Sequence, residues 1–121
     1  VSFLFSIIIL TMNIILIDAK MVIALENNSS DLIDKISRDY TKKFCNSIGF
    51  GLSKESAMNF SYSENKKIFE KRKGVEKLDK KVLANKIATS VIDSCGYQFN
   101  EYGDKYIDAF ANFYLSIEKE N

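Results

Sequence analysis

The chain has 121 residues, a length that holds one domain, and its formal net charge of +1 gives no overall field to attract nucleic acid. It contains no histidine, which excludes imidazole acid–base catalysis, Ser-His and Cys-His nucleophiles and histidine metal ligands. With no visible nucleophile–base pair and no cofactor motif, the sequence reads as a protein without catalysis or a cofactor of its own.

Residues 3–17, FLFSIIILTMNIILI, carry no charge. Fifteen residues fall short of the about 20 that span a bilayer, and match the apolar core of a secretory signal peptide. Val22 and Ala24 then stand at −3 and −1 of an acceptable cleavage site, so the sequence predicts a signal peptide over 1–24 and a mature domain over 25–121. No Lys or Arg precedes Lys20 and the first residue is Val, which implies a non-Met start or a basic leader upstream. The alternatives are an uncleaved anchor over 3–25, or a cytosolic protein starting at Met21.

"NNSSDLIDKISRDYTKKFCNSIGFG" predicts the first helix of the mature part. Ser30 or Asp31 suits its N-cap, and Gly49 suits a left-handed C′ position. Leu32, Ile33, Ile36, Tyr40, Phe44 and Ile48 recur at three to four residues and form one apolar face. Ser53 is the expected cap of a second helix over about 54–65, with Ala57, Met58, Phe60 and Tyr62 as its apolar residues. The pattern then decays through SYSENKKIFEKRKG, where a frayed end or exposed turn is expected, with Ile68 and Phe69 returning to the core.

Asp79 caps a third predicted helix, with Val82, Leu83, Ile87, Val91 and Ile92 as its stripe and Gly96 as its stop. A fourth, over about 101–118, carries Tyr106, Ile107, Phe110, Phe113, Tyr114 and Ile117 on one face, a stripe that reads as core. No stretch alternates with period two. The fold class expected is therefore all-α: about four helices, as an antiparallel bundle or two stacked helical hairpins. A faint repeat of 50 residues supports this layout, since Cys45 precedes Ala57 and Phe60 by the same offsets that separate Cys95 from Ile107 and Phe110, with chance agreement between amphipathic helices as the competing reading.

Two cysteines 50 residues apart lack the partners a metal site needs. Each lies at the C-terminal end of a helix, the first and the third. In an up-down-up-down bundle those helices run parallel, so both ends share a pole and a Cys45–Cys95 disulfide is expected once the chain is exported. Buried free thiols are the competing reading.

Between Glu64 and Lys81 stand eight basic and four acidic residues. Lys66, Lys67, Lys71, Arg72, Lys73, Lys77, Lys80 and Lys81 form a candidate docking surface for an acidic partner or anionic headgroups. Interleaved acids and a lack of stacking aromatics argue against nucleic acid there, and a solvated, partly disordered loop is the plainer reading. Membrane contact is expected only through the N-terminal segment, or weakly through this stretch. Residues 93–121 hold six acids and two lysines, which implies simple solvation or pairing, including head-to-tail contact between copies.

The Lys, Asn and Ile bias, the short chain and the DSCGYQF stretch after an amphipathic helix resemble small exported proteins of marine picocyanobacteria that have no assigned activity. The resemblance covers about 25–110 and implies periplasm or thylakoid lumen. It brings no catalytic residues. The function expected is thus a small exported structural or interaction protein, an accessory subunit whose protein partner is unknown. The alternative is a carrier of an apolar small ligand held between bundle helices, which needs an enclosed cavity of about 300 Å³ or more.

Overall fold

The computed structural model describes residues 27–121, and the expected signal segment and its cleavage point lie outside them. The described part is all-α. Helix α1 covers residues 27–49, α2 Lys54–Phe69, α3 Lys80–Cys95 and α4 Asp104–Glu120, with short 3₁₀ turns at Val75–Lys77 and Gly96–Phe99. Leu32–Asn121 forms one compact unit. No helix among the described residues is long and apolar enough to cross a membrane.

The helix directions follow from who meets whom. Asp34 pairs with Lys86, the Thr41 hydroxyl donates to Ser90 Oγ at 2.8 Å, and Cys45 bonds Cys95. Both numbers climb together, so α1 and α3 are parallel. Tyr40 donates to the Met58 carbonyl while Asn65 donates to that of Ile36, so α1 and α2 are antiparallel. Lys80 on the first turn of α3 pairs with Glu118 near the end of α4, which makes that pair antiparallel too. The result is an up-down-up-down arrangement. Helices α2 and α4 start at Lys54 and Asp104, 50 residues apart like the two cysteines, which matches the hairpin repeat. The repeat is imperfect in its side chains: Phe110 is fully buried, while Phe60 is 47% exposed.

The core is aromatic at its centre. Tyr40 and Phe44 from α1 meet Phe110 and Tyr114 from α4, and the Phe44–Phe110 ring centroids lie 5.3 Å apart edge to face. Such pairs contribute about 0.5–1.5 kcal/mol beyond the area they bury. Ala57 and Met58 from α2, and Ala84, Ile87, Ala88, Val91 and Ile92 from α3, complete the filling. Between α1 and α3 the contact residues are small. Ser37 and Thr41 of α1 are buried, Thr41 meets Ser90 of α3, and Ser37 Oγ donates to the Lys86 carbonyl at 3.3 Å. Small side chains let the two axes approach, and at the far end of this seam the cysteine Cα atoms are 5.8 Å apart, inside the disulfide range of about 4.4–6.8 Å.

Several local expectations need correction. Ser30 and Asp31 are already helical, so neither is the N-cap of α1. The helix also runs through Gly49, and Gly51 takes the left-handed C′ role at φ 93°. Its N–H bonds the Ile48 carbonyl and that of Leu52 bonds Ser47, the paired bonds of a Schellman motif. Helix α2 does not decay at residue 65 but continues to Phe69. Its inner face there is polar and satisfied: Asn65 is buried and donates to the Ile36 carbonyl and to Asp39. Phe69 does return to the core, while Ile68, Phe60, Val82 and Phe113 face outward.

Two expected caps are as read. Ser53 Oγ accepts from the Ser56 N–H, and Asp79 accepts from the N–H groups of Lys81 and Val82. Gly96 does more than stop α3. A Cβ there would lie 2.0 Å from the Glu101 carbonyl oxygen, so only glycine allows the chain to fold back that tightly.

Ser61 is fully buried on α2, and its hydroxyl has no hydrogen-bond partner. Burying an unpaired hydroxyl costs about 1–3 kcal/mol, and Ala is the better helix former. Ser61→Ala is therefore expected to raise stability by about 1 kcal/mol in chemical denaturation. A loss of stability would show that the hydroxyl is satisfied.

Candidate interaction surfaces at the two ends of the bundle

The up-down-up-down order gives the domain two chemically distinct ends. One holds the α1–α2 and α3–α4 corners, the other the α2–α3 corner.

At the first end the two corners are tied together. The disulfide joins the ends of α1 and α3. Lys54, the first residue of α2, reaches both Glu101 carboxylate oxygens at 2.5 and 2.7 Å, and its ammonium also lies 5.9 Å from the Phe110 ring centroid. Phe99 packs edge to face on Phe44 at 5.5 Å, anchoring the second corner in the core. Out of this fixed base project three rings: Phe50 is 86% exposed, Tyr97 66% and Tyr102 68%. Scattered exposed apolar residues are ordinary. Three bare aromatics on two rigidly clamped corners of one end are not scattered. From Asp93 to Asp108 the chain also carries four acids and one lysine, and at the same level α1 and α2 add Lys43, Lys54 and Glu55, so this aromatic end holds five acids against three lysines.

The opposite end is basic. The structure places Lys66 and Lys67 on the last turn of α2, Lys71, Arg72 and Lys73 on the following turn, Lys77 on the 3₁₀ turn, and Lys80 and Lys81 on the first turn of α3. All eight are exposed, and the α2–α3 corner brings them to one end of the domain. Lys67 pairs with Glu64 and Lys80 with Glu118, while the Arg72 guanidinium lies 4.7 Å from the Phe69 ring centroid. The segment is folded onto the body: Phe69 and Leu78 are buried and Val75 packs against the core.

Beneath this corner lies an apolar cleft of about 240 Å³, walled by Ile36, Tyr62, Phe69, Val75, Leu78 and Tyr114. Lys66, Glu70, Glu76 and Lys80 stand among its polar lining. Burial raises the Tyr114 hydroxyl far above the usual phenol range, helped by Tyr62 and Glu118, and burial with Glu118 raises Tyr62 as well. Both phenols are neutral at physiological pH, so they add no charge to a lining that also holds Glu118. A second cleft, about 410 Å³ along the α1–α3 seam, is polar, with Asp34, Ser37, Arg38, Lys86 and Asp93 in its lining.

No protein-family model matches the chain, and no curated protein or solved structure matches it. The site must therefore be read from its own chemistry. Sequence reasoning found the basic residues and the cysteine pair. It missed the aromatic end and the cleft. The signal for the aromatic end was present, in Phe50 between two glycines and Tyr97 and Tyr102 beside glycines, all off the helical stripes. The cleft has no local signal, because residues from all four helices wall it.

Proposed function

We propose that this is a small exported structural or interaction protein, whose business is docking rather than catalysis or ligand carriage. The observation that carries the reading is the aromatic end, where Phe50, Tyr97 and Tyr102 are held out on corners clamped by a disulfide and an ion pair. Aromatic anchors on rigid supports bind at little entropic cost. Export is supported by the disulfide, which persists in oxidising compartments, and by the signal-like composition of residues 1–24. A carrier is less well supported. The apolar cleft is below the about 300 Å³ usual for ligand sites, and it opens to solvent.

Material from the native host tests the reading in two ways. Intact mass should correspond to a chain starting at Leu25, with two hydrogens missing for the disulfide. In native gels the protein should migrate in an assembly larger than one chain, and Phe50→Ser with Tyr97→Ser should release it as a monomer of unchanged melting temperature. Migration as a free monomer from the start, or an assembly indifferent to these substitutions, would defeat it.

A further inference from the structure

We infer that the partner is a second copy of this chain, docked head to tail: the aromatic end of one molecule seats on the basic end of the next, with Phe50 in the apolar cleft. The inference rests on the docking reading above and names its occupant.

Charge complementarity is the first argument. The α2–α3 corner has eight basic residues against four acidic, and the aromatic end, with both its corners counted, has five acidic against three basic. Helix α3 separates these corners by its 16 residues, about 24 Å at 1.5 Å per residue. That is about three Debye lengths at physiological salt, so the corners of one molecule cannot neutralise each other. Two molecules stacked end to end can.

Size and shape are the second. A cleft of about 240 Å³ has room for one aromatic ring, since an apolar cavity of about 150 Å³ already holds benzene. Phe50 is the most exposed large apolar side chain among the described residues, at the apex of the α1–α2 corner. The cleft walls are aromatic and aliphatic, its charged lining is mixed, with Lys66 and Lys80 beside Glu70, Glu76 and Glu118, and the basic excess lies on the corner around it, at Lys71, Arg72, Lys73 and Lys77. Asp104 and Asp108 of the incoming molecule would face the basic residues around it, since Glu101 is already held by Lys54. Because the two surfaces are different, the contact is heterologous and propagates into a row rather than closing as a two-fold dimer.

The test uses the whole chain with its disulfide formed, in sedimentation velocity against protein and salt concentration. The parent is expected to form an open series of species that weakens as NaCl rises. Phe50→Ser removes the plug, and Val75→Arg fills the cleft without adding negative charge to the basic corner. Each alone should weaken association on the order of tenfold or more, the effect of losing one aromatic anchor. Mixed, they should give a 1:1 dimer that grows no further, since one supplies an intact cleft and the other an intact plug. If Val75→Arg unfolds, Gln at Lys71, Arg72, Lys73 and Lys77 serves instead, since all four are exposed. A parent that stays monomeric, an association that survives both substitutions, or a mixture that fails to pair overturns the inference. So does a monomer that binds phosphatidylglycerol vesicles through the same lysines. A pure protein that is monomeric, but found in an assembly in native extract, would overturn the self-docking alone and leave the wider reading standing.

Discussion

Truncating Phe44 to alanine is expected to cost about 3–5 kcal/mol, the range for deleting a buried phenylalanine. Phe44 has no exposed surface and touches the aromatic cluster on three sides, through Tyr40, Phe99 and Phe110. The neighbours come from α1, from the α3–α4 corner and from α4, so no single element can collapse into the void. For a domain with a total of about 5–15 kcal/mol, this is a large share, and the melting temperature should fall by on the order of 20 °C. The control is Phe113→Ala. Phe113 lies on the same apparent stripe of α4 as Phe110 but is 40% exposed, so its truncation should cost under about 1 kcal/mol. Equal losses from the two substitutions in guanidinium titrations would mean that the core is not centred where the rings meet.

That contrast marks the limit of reading this chain from sequence. Periodicity located all four helices, because Ile36, Tyr40 and Phe44, or Ile87, Val91 and Cys95, repeat at the helical period. Ser53 and Asp79 were legible as caps because capping is local chemistry, decided within three residues. The disulfide was legible through topology alone: parallel first and third helices put both cysteines at one end. The continuation of α2 was not legible. Asn65 is a polar residue on a buried face, and what makes it tolerable is a hydrogen bond to Ile36, 29 residues away. Hydropathy cannot see such a partner, so the helix seemed to fade where its inner face turned polar. The same blindness covers Ser37, Thr41 and Ser47, all buried. Phe60, Ile68, Val82 and Phe113 erred the other way. They are apolar and lie near the stripes, but each sits on the rim of its helix face, and a stripe drawn by eye is wider than the contact. The eight basic site residues were plain in the sequence. Their meaning changes in the structure, which sets them around an apolar cleft rather than along a loose linker.

Removing the disulfide should cost nearly as much as removing Phe44. Closing a 50-residue loop constrains the unfolded chain by about 4 kcal/mol in the chain-entropy model. The cost is expected in the Cys45→Ala/Cys95→Ala variant, and on full reduction of the parent protein. The helices of 16 or 17 residues are marginal on their own, so they depend on packing that the crosslink holds in register. Losing about 4 of a total of about 5–15 kcal/mol removes a quarter or more of the stability under reducing conditions. The effect should be uneven. Cys95 is buried and adjoins the Gly96 turn, where Glu101 folds back to 2.8 Å from the Gly96 carbonyl. Loosening that corner frees the supports of Tyr97 and Tyr102, so docking should weaken before the helices melt. Circular dichroism and sedimentation on the same samples, titrated with dithiothreitol, give both readouts. A stability loss under about 1 kcal/mol, or native protein in which both thiols label freely, would remove the crosslink from the account. The link between this fold and an oxidising compartment would go with it.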